Sequence, residues 1–137
     1  MNPVYILSAT RTAVGSFGGS LKDTSPIDLG THIAKSAIER SGVAADAIDH
    51  AVIGNVIHTE PRDMYVSRCI SIGAGMREGA PALTVNRLCG SGLQAIASAS
   101  QLIMLGDAEL ALAGGVEVMS RSGHIVPSLR WGVRMGN

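Results

Sequence analysis

The residues best suited to chemistry in this sequence surround Cys89, in the run NRLCGSGLQA at residues 86–95. The run follows an apolar, β-prone stretch at residues 82–85 and opens a helix-prone one. We therefore predict that Cys89 lies where a buried strand gives way to the first turn of a helix. The free N–H groups and the positive dipole end of such a helix favour thiolate over thiol and supply donors for an oxyanion. The pattern predicts a nucleophilic cysteine.

Two other interpretations of these residues remain open from the pattern alone. Cysteine is often a buried core residue, and Gly90-x-Gly92-x-x-Ala95 after a strand also fits a dinucleotide-binding fingerprint. That fingerprint requires an acidic residue at the end of the following strand, about 20 residues on. Glu109 comes before that strand and Glu117 comes after its glycines. The spacing therefore fits poorly, and the oxidoreductase interpretation leaves the cysteine unexplained.

The remaining potential ligands and bases give weaker signals. Cys69 occupies an apolar position of a helical pattern, which predicts core packing. The two cysteines have neither C-x-x-C nor histidine partner spacing, so the sequence predicts neither a metal site nor a disulfide framework. His32 and His50 lie in or beside a helix and a strand, where surface or packing roles dominate, and His58 lies in a loop without an assignable role.

The overall composition argues against two classes of partner. Eleven Lys and Arg balance eleven Asp and Glu, which gives no electrostatic reason to predict binding to nucleic acid or to an anionic membrane. The uncharged run of 19 residues at 88–106 is long enough to span a bilayer. Its serines and glutamines are spread around the helix, which favours a buried central helix. Since no signal-peptide pattern is present, the prediction is a soluble cytoplasmic protein.

The pattern of apolar segments predicts an α/β fold. Short segments bounded by Gly, Pro or Asn predict buried strands at residues 4–7, 51–57, 82–85 and 110–113. Helices are predicted from Ser25-Pro26 to Gly42, at 63–72 and from 91 to Gly106, with an extra helical turn at 44–48. Strands that alternate with helices indicate a largely parallel sheet covered on both faces. Ligands bind beyond the carboxyl ends of such strands, where Cys89 and Gly114-Gly115 are predicted to lie.

Several separate segments of the chain carry a resemblance to one family. The run at residues 86–95, continued through 96–106 to LALAGGVEVMS at 110–120, resembles the acyl-enzyme signature of the thiolases. The segments RTAVG at 11–15 and GGSL at 18–21 are similar to the family's opening, and GNVI at 54–57 is similar to its second strand. The stretch TEPRDMY at 59–65, with RWG at 130–132, resembles the bacterial short-chain β-ketothiolases.

The resemblance implies an architecture larger than this chain. Thiolases contain two similar halves, each a mixed five-stranded sheet between helices, and a loop domain is inserted in the first half before its last strand. Residues 1–120 would then form an incomplete N-terminal domain with four strands and no fifth, and residues 121–137 would begin the loop domain. The full-length protein would be a homodimer or tetramer joined through the edge strand at residues 82–85.

The resemblance also implies a reaction. Cys89 would carry the acyl group as a thioester, with its backbone N–H in the oxyanion hole, in a reversible Claisen condensation of acetyl-CoA and acyl-CoA to 3-ketoacyl-CoA. Coenzyme A thioesters would be substrates, and no permanently bound cofactor is implied. Arg121, Arg130 and Arg134 give the tail a basic bias suited to the phosphates of coenzyme A.

The family's other catalytic groups are not found in this sequence. Its histidine lies in a Gly-His-Pro motif that His124 matches only superficially, and its second cysteine belongs to the other half. The chain alone is therefore expected to be inactive. One alternative is an inactive structural remnant that folds only with a partner half. A non-catalytic, thiolase-like lipid carrier is less favoured, because the turn around Cys89 is intact.

Overall fold

The computed structural model describes residues 2–133 and residue 135. Among them, helices and strands alternate in the order α1 (Pro26–Ser41), β1 (His50–Gly54), α2 (Val66–Gly73), β2 (Ala82–Val85), α3 (Ser91–Leu105) and β3 (Ala111–Gly115). Short 3-10 turns occur at Ala45–Ala47, Pro61–Tyr65, Met119–Arg121 and Pro127–Trp131. The turn Pro127–Trp131 lies within the segment at residues 121–137, and the helical turn predicted at residues 44–48 is observed as the 3-10 turn Ala45–Ala47.

The strands form one sheet with the order β2-β1-β3, and both pairings are parallel. Alternate residues of the strands face opposite layers, as pleating requires. Ala51 and Ile53 of β1 join the core beneath α1 and α2. Val52 packs instead with Ala95 and Ala99 of α3. The predicted α/β fold, with a parallel sheet between helices, is confirmed.

The ends of α1 and α3 are set by the residues that the sequence indicated. Ser25 caps α1, because its Oγ accepts a hydrogen bond from the Asp28 N–H at 3.0 Å. Gly42 and Gly106 end α1 and α3 in the left-handed conformation, with φ of 73° and 84°. These caps fix where α1 begins and where α1 and α3 end.

The predicted first strand at residues 4–7 is wrong, and the described sheet has three strands instead of four. Residues 2–10 hold no regular secondary structure, and Tyr5 and Ile6 are 76% and 77% exposed. An apolar, β-prone segment becomes a strand only when a neighbouring strand accepts its backbone hydrogen bonds. Here no described strand pairs with it.

The N-terminal segment is nevertheless anchored to the helices on both faces of the sheet. The Asn2 side chain donates to a carbonyl of α3 at 3.3 Å. Ser8 and Thr10 donate to carbonyls of α1 at 2.7 and 3.3 Å. An apolar groove of about 600 Å³, lined by this segment, β3, α1 and α3, separates it from β3. The segment therefore lies at the level of the sheet, beside β3 but not paired with it.

Three element boundaries differ from prediction. The strand predicted at residues 51–57 ends at Gly54. The Asn55 N–H still donates to a carbonyl of β2, but the Val56 and Ile57 N–H groups donate to a side chain from another loop. The helix predicted at residues 63–72 starts as the 3-10 turn Pro61–Tyr65 before α2 begins. Strand β3 continues through Gly115, so Gly114-Gly115 forms its end instead of following it.

Helix α3 is buried on one face only, so the prediction of a buried central helix is half right. Its small residues Ser91, Ala95 and Ala99 pack on the sheet, whereas Leu93 and Leu105 are each 75% exposed. By length and composition the stretch Leu88–Leu105 could cross a membrane. Its small-residue face packs on β1 and β3, which is the packing of a helix that covers a sheet.

Candidate functional site

The candidate site is the turn that connects β2 to α3. Cys89 lies in this turn, after the last residue of β2 and two residues before α3 begins. Its side chain is exposed, and the turn is at the carboxyl edge of a parallel sheet. The predicted position of Cys89 is therefore confirmed, and the interpretation of Cys89 as a buried core residue is excluded.

The backbone of the turn is strained beside the cysteine. Leu88 has a φ of 50° and is, within the described residues, the one non-glycine residue with positive φ. This left-handed conformation costs an L-residue roughly 1–2 kcal/mol. The Leu88 N–H donates to Asn86 Oδ1 at 3.0 Å, and the Leu88 carbonyl accepts the Ser91 N–H at 3.0 Å. Strain held by surrounding hydrogen bonds is typical of a functional turn.

Three glycines allow the first turn of α3 to rest directly on the strand ends. A Cβ added at Gly54 would lie 2.5 Å from the Ser91 carbonyl carbon, so the end of β1 touches α3 backbone to backbone. A Cβ added at Gly115 would lie 3.0 Å from the Gly92 Cα, which gives the same close approach at the end of β3. These contacts fix the helix start beneath Cys89. They assign Gly115 to helix–strand packing.

The loops that follow β1 and β3 are joined by Glu117, a contact that the sequence pattern did not reveal. Its carboxylate accepts the N–H groups of Val56 and Ile57 at 3.0 and 3.1 Å. Asn55, only 1% exposed, donates from its side chain to the Val116 carbonyl at 3.0 Å. The Glu117 carboxylate is therefore occupied by the loop after β1. It is not free to bind a ribose, as the acidic residue of a dinucleotide site would be.

Cys69 lies in α2, partly buried against the core beneath α1 and α2, so its predicted packing role is confirmed. Burial raises the pKa of the Cys69 thiol, because a thiolate loses hydration there. The carboxylates of Glu60 and Asp63 raise this pKa further, while Arg62 opposes them. We therefore expect Cys69 to be less reactive than the exposed Cys89.

Alkylation rates provide a test of this difference. We expect iodoacetamide at pH 7 to modify Cys89 several-fold faster than Cys69, because Cys89 is exposed whereas Cys69 is partly buried and its thiol pKa is raised. The difference between the two alkylation rates should decrease as the pH rises toward the raised pKa of Cys69, because the Cys69 thiolate then forms. Peptide mass mapping after brief labelling measures both rates, with Cys69→Ser and Cys89→Ser as controls. Equal labelling at pH 7 would contradict the assignment.

The basic residues of the tail are placed differently from one another. Arg121 donates to the Asp23 carbonyl at 2.9 Å and pairs with Glu60 at 3.2 Å. Its guanidinium therefore connects the tail to the segment at residues 59–65. The sequence did not predict this structural role. Arg130 is exposed, and Arg134 lies outside the described residues.

Within the described residues, no hydrogen bond joins a histidine to Cys89. His32, His58 and His124 are exposed, and the His50 ring contacts the Ala51 carbonyl at 3.1 Å. Within the described part of the chain, no group of three or more His, Cys, Asp or Glu side chains could hold a metal ion. The site as described therefore consists of the nucleophile turn and its supports.

Fold and site together define a class: an α/β protein with an exposed cysteine on a strained strand-to-helix turn, as suits covalent catalysis. The family model described as the thiolase N-terminal domain matches residues 4–137. The chain belongs to the thiolase family.

Named relatives and solved structures agree with this membership. The chain is 54% identical over 134 residues to β-ketothiolase BktB of Cupriavidus necator, which covers 98% of the chain and 34% of that protein. It is 44% identical over 137 residues to an acetyl-CoA acetyltransferase of the same organism, covering 100% of the chain and 35% of that protein. The crystal structure of human mitochondrial 3-ketoacyl-CoA thiolase in complex with CoA superposes with a TM-score of 0.93 at 37% identity, over 97% of this chain and 34% of that one. The chain spans about a third of the length of these proteins.

Proposed function

We propose that this chain is the N-terminal portion of a thiolase and supplies its nucleophile, Cys89. The observation that carries the proposal is an exposed cysteine on a strained turn at the carboxyl edge of the sheet, in a chain of the thiolase family. Residues 1–120 then form an incomplete N-terminal domain, and residues 121–137 begin the inserted loop domain. The protein acts in the cytoplasm, and no nucleic acid or membrane partner is proposed.

In the proposed first step, the Cys89 thiolate attacks the carbonyl carbon of an acyl-CoA. A sulfur–carbon bond forms to the acyl group, the bond to coenzyme A breaks, and the released CoA thiolate takes up a proton. One thioester replaces another, so the exchange is nearly balanced in energy. The Cys89 backbone N–H, at the start of α3, is the proposed donor to the carbonyl oxygen as its charge develops.

In the second step, the α-carbanion of acetyl-CoA attacks the acyl-cysteine. The new carbon–carbon bond gives a 3-ketoacyl-CoA, and Cys89 leaves as thiolate; thiolysis is the reverse. The base that removes the acetyl proton and the histidine that assists Cys89 belong to the other half of the full-length enzyme. Coenzyme A thioesters are substrates, and no permanently bound cofactor takes part.

The substrates proposed are short-chain acyl-CoAs and acetyl-CoA. The identity to a β-ketothiolase and an acetyl-CoA acetyltransferase supports this choice, as does the 59–65 segment. Among the described tail residues, Arg130 is an exposed cation available to a coenzyme A phosphate, whereas Arg121 is engaged with Glu60.

We also propose that the full-length protein forms a homodimer or tetramer through β2. In the described sheet β2 pairs with β1 on one side only, and the outer side chain of Leu83 is 46% exposed. An uncharged edge strand of this kind favours pairing with a second copy. Sedimentation of an active but strictly monomeric full-length protein would contradict the proposal.

The acyl-enzyme is the direct test of the proposed function. Incubation of the full-length protein with acetyl-CoA, without a second substrate, should leave one acetyl group on the peptide that contains Cys89. Cys89→Ser should abolish this label, because a serine hydroxyl lacks thiolate character at neutral pH. Cys69→Ser is the matched control and should be labelled normally. A stable acyl group on any other residue, detected by peptide mass mapping, would overturn the mechanism.

A further inference from the structure

We propose that Ser91 is a positioning residue that aims the Cys89 backbone N–H at the acyl oxygen, an inference that rests on the proposed function of Cys89. The Ser91 side chain is buried, with the residue 5% exposed. Its Oγ accepts the Arg87 N–H at 2.8 Å and donates to the Leu88 carbonyl at 2.6 Å. One hydroxyl therefore closes the turn on both sides of the strained residue.

The Leu88 carbonyl is held by two donors from the same residue. It accepts the Ser91 N–H at 3.0 Å in addition to the Ser91 hydroxyl. This carbonyl shares a trans peptide unit with the Cys89 N–H, and in a trans peptide the C=O and N–H point in opposite directions. Because Ser91 draws the carbonyl toward the helix, the Cys89 N–H points away from the helix start. The proposal places the acyl group bound to Cys89 on this side.

Ser91 is itself fixed by the sheet. A Cβ added at Gly54 would lie 2.5 Å from the Ser91 carbonyl carbon and 2.7 Å from its Cβ, so Ser91 rests against the end of β1. The contact with β1 fixes Ser91, and the hydrogen bonds from Ser91 fix the Leu88 carbonyl. The Cys89 N–H belongs to the same peptide unit as that carbonyl, so its direction is fixed as well. In this orientation Leu88 adopts a left-handed φ of 50°, which strains its backbone.

The variant Ser91→Ala separates this role from ordinary packing. Acylation passes through a charged carbonyl oxygen, whereas alkylation by iodoacetamide does not. In the full-length protein, Ser91→Ala should therefore slow acylation by acetyl-CoA on the order of 10- to 100-fold. The alkylation rate of Cys89 and the KM for acetyl-CoA should stay within about twofold, since neither depends on that donor. Ser100→Ala, a matched serine removal later in α3, should change neither rate.

The outcomes distinguish this inference from the proposed function. If the wild-type protein is not acylated at Cys89, the proposed function fails. Two results would contradict the positioning role of Ser91 once the wild type is shown to be acylated. In one, the folded Ser91→Ala variant is acylated as fast as the wild type. In the other, its acylation and alkylation rates fall to the same extent. Circular dichroism of each variant establishes that it is folded.

A second comparison covers the case in which Ser91→Ala does not fold. Leu88→Gly removes the strain at φ 50°, because glycine adopts this conformation freely. In the Leu88→Gly background, removal of the Ser91 hydroxyl should permit folding but still slow acylation relative to Leu88→Gly alone. A double variant acylated as fast as the Leu88→Gly single variant would overturn the proposal.

Discussion

The isolated 137-residue chain is expected to show no measurable synthesis or thiolysis of 3-ketoacyl-CoA, although Cys89 is exposed. Condensation needs a base that removes a proton from acetyl-CoA, and thiolysis needs a group that assists the thiol. In the described residues the nucleophile turn contains neither, and His32, His58 and His124 are exposed elsewhere on the chain. Catalytic groups that act as a unit lose most of their effect when partners are removed.

Acetoacetyl-CoA consumption in the presence of coenzyme A measures the activity, with Cys89→Ala as the background control. The isolated chain should match this control. Mixing it with a separately expressed C-terminal portion of the full-length enzyme should restore turnover, and the Cys89→Ala chain should not. Turnover by the isolated chain above the control would mean that the catalytic groups have been misplaced. Failure of restoration by a folded partner would favour the structural remnant.

Local signals in the sequence were sufficient for most of the fold. Ser25, Gly42 and Gly106 act within a few residues of themselves, so the ends of α1 and α3 follow from residue type. The pleat of the predicted strand β1 likewise turns alternate residues toward helices on opposite faces. The exposed position of Cys89 follows from the same local logic, because it depends on the strand before it and the helix after it.

Contacts between distant parts of the chain were not predictable in this way. Residues 4–7 have the composition of a strand, but whether they pair depends on a neighbour that composition does not reveal. Glu117 accepts the N–H groups of Val56 and Ile57, 61 and 60 residues away in sequence, so these two residues do not extend β1. The left-handed Leu88 was also missed, because leucine is not a residue that indicates positive φ.

The apolar groove beside β3 is expected to take one β-strand from the rest of the full-length protein. Ser8 and Thr10, two residues apart, both donate to α1, which is the side-chain alternation of an extended strand. The segment and the outer edge of β3 thus present two unpaired backbones across the groove. Since α1 and α3 cover its two faces, the inserted strand should be apolar on both sides.

Amide hydrogen exchange of the isolated chain and of the full-length protein measures this insertion. The amides of residues 4–7 should exchange rapidly in the isolated chain, because they lack strand partners, and slowly in the full-length protein, where the inserted strand accepts their hydrogen bonds. Amides on the outer edge of β3 should gain protection together with them. Amides in the middle of α1 are the control, since they are bonded within the helix in both forms. If residues 4–7 exchange equally fast in the folded full-length protein, the groove is filled by side chains or solvent and not by a strand.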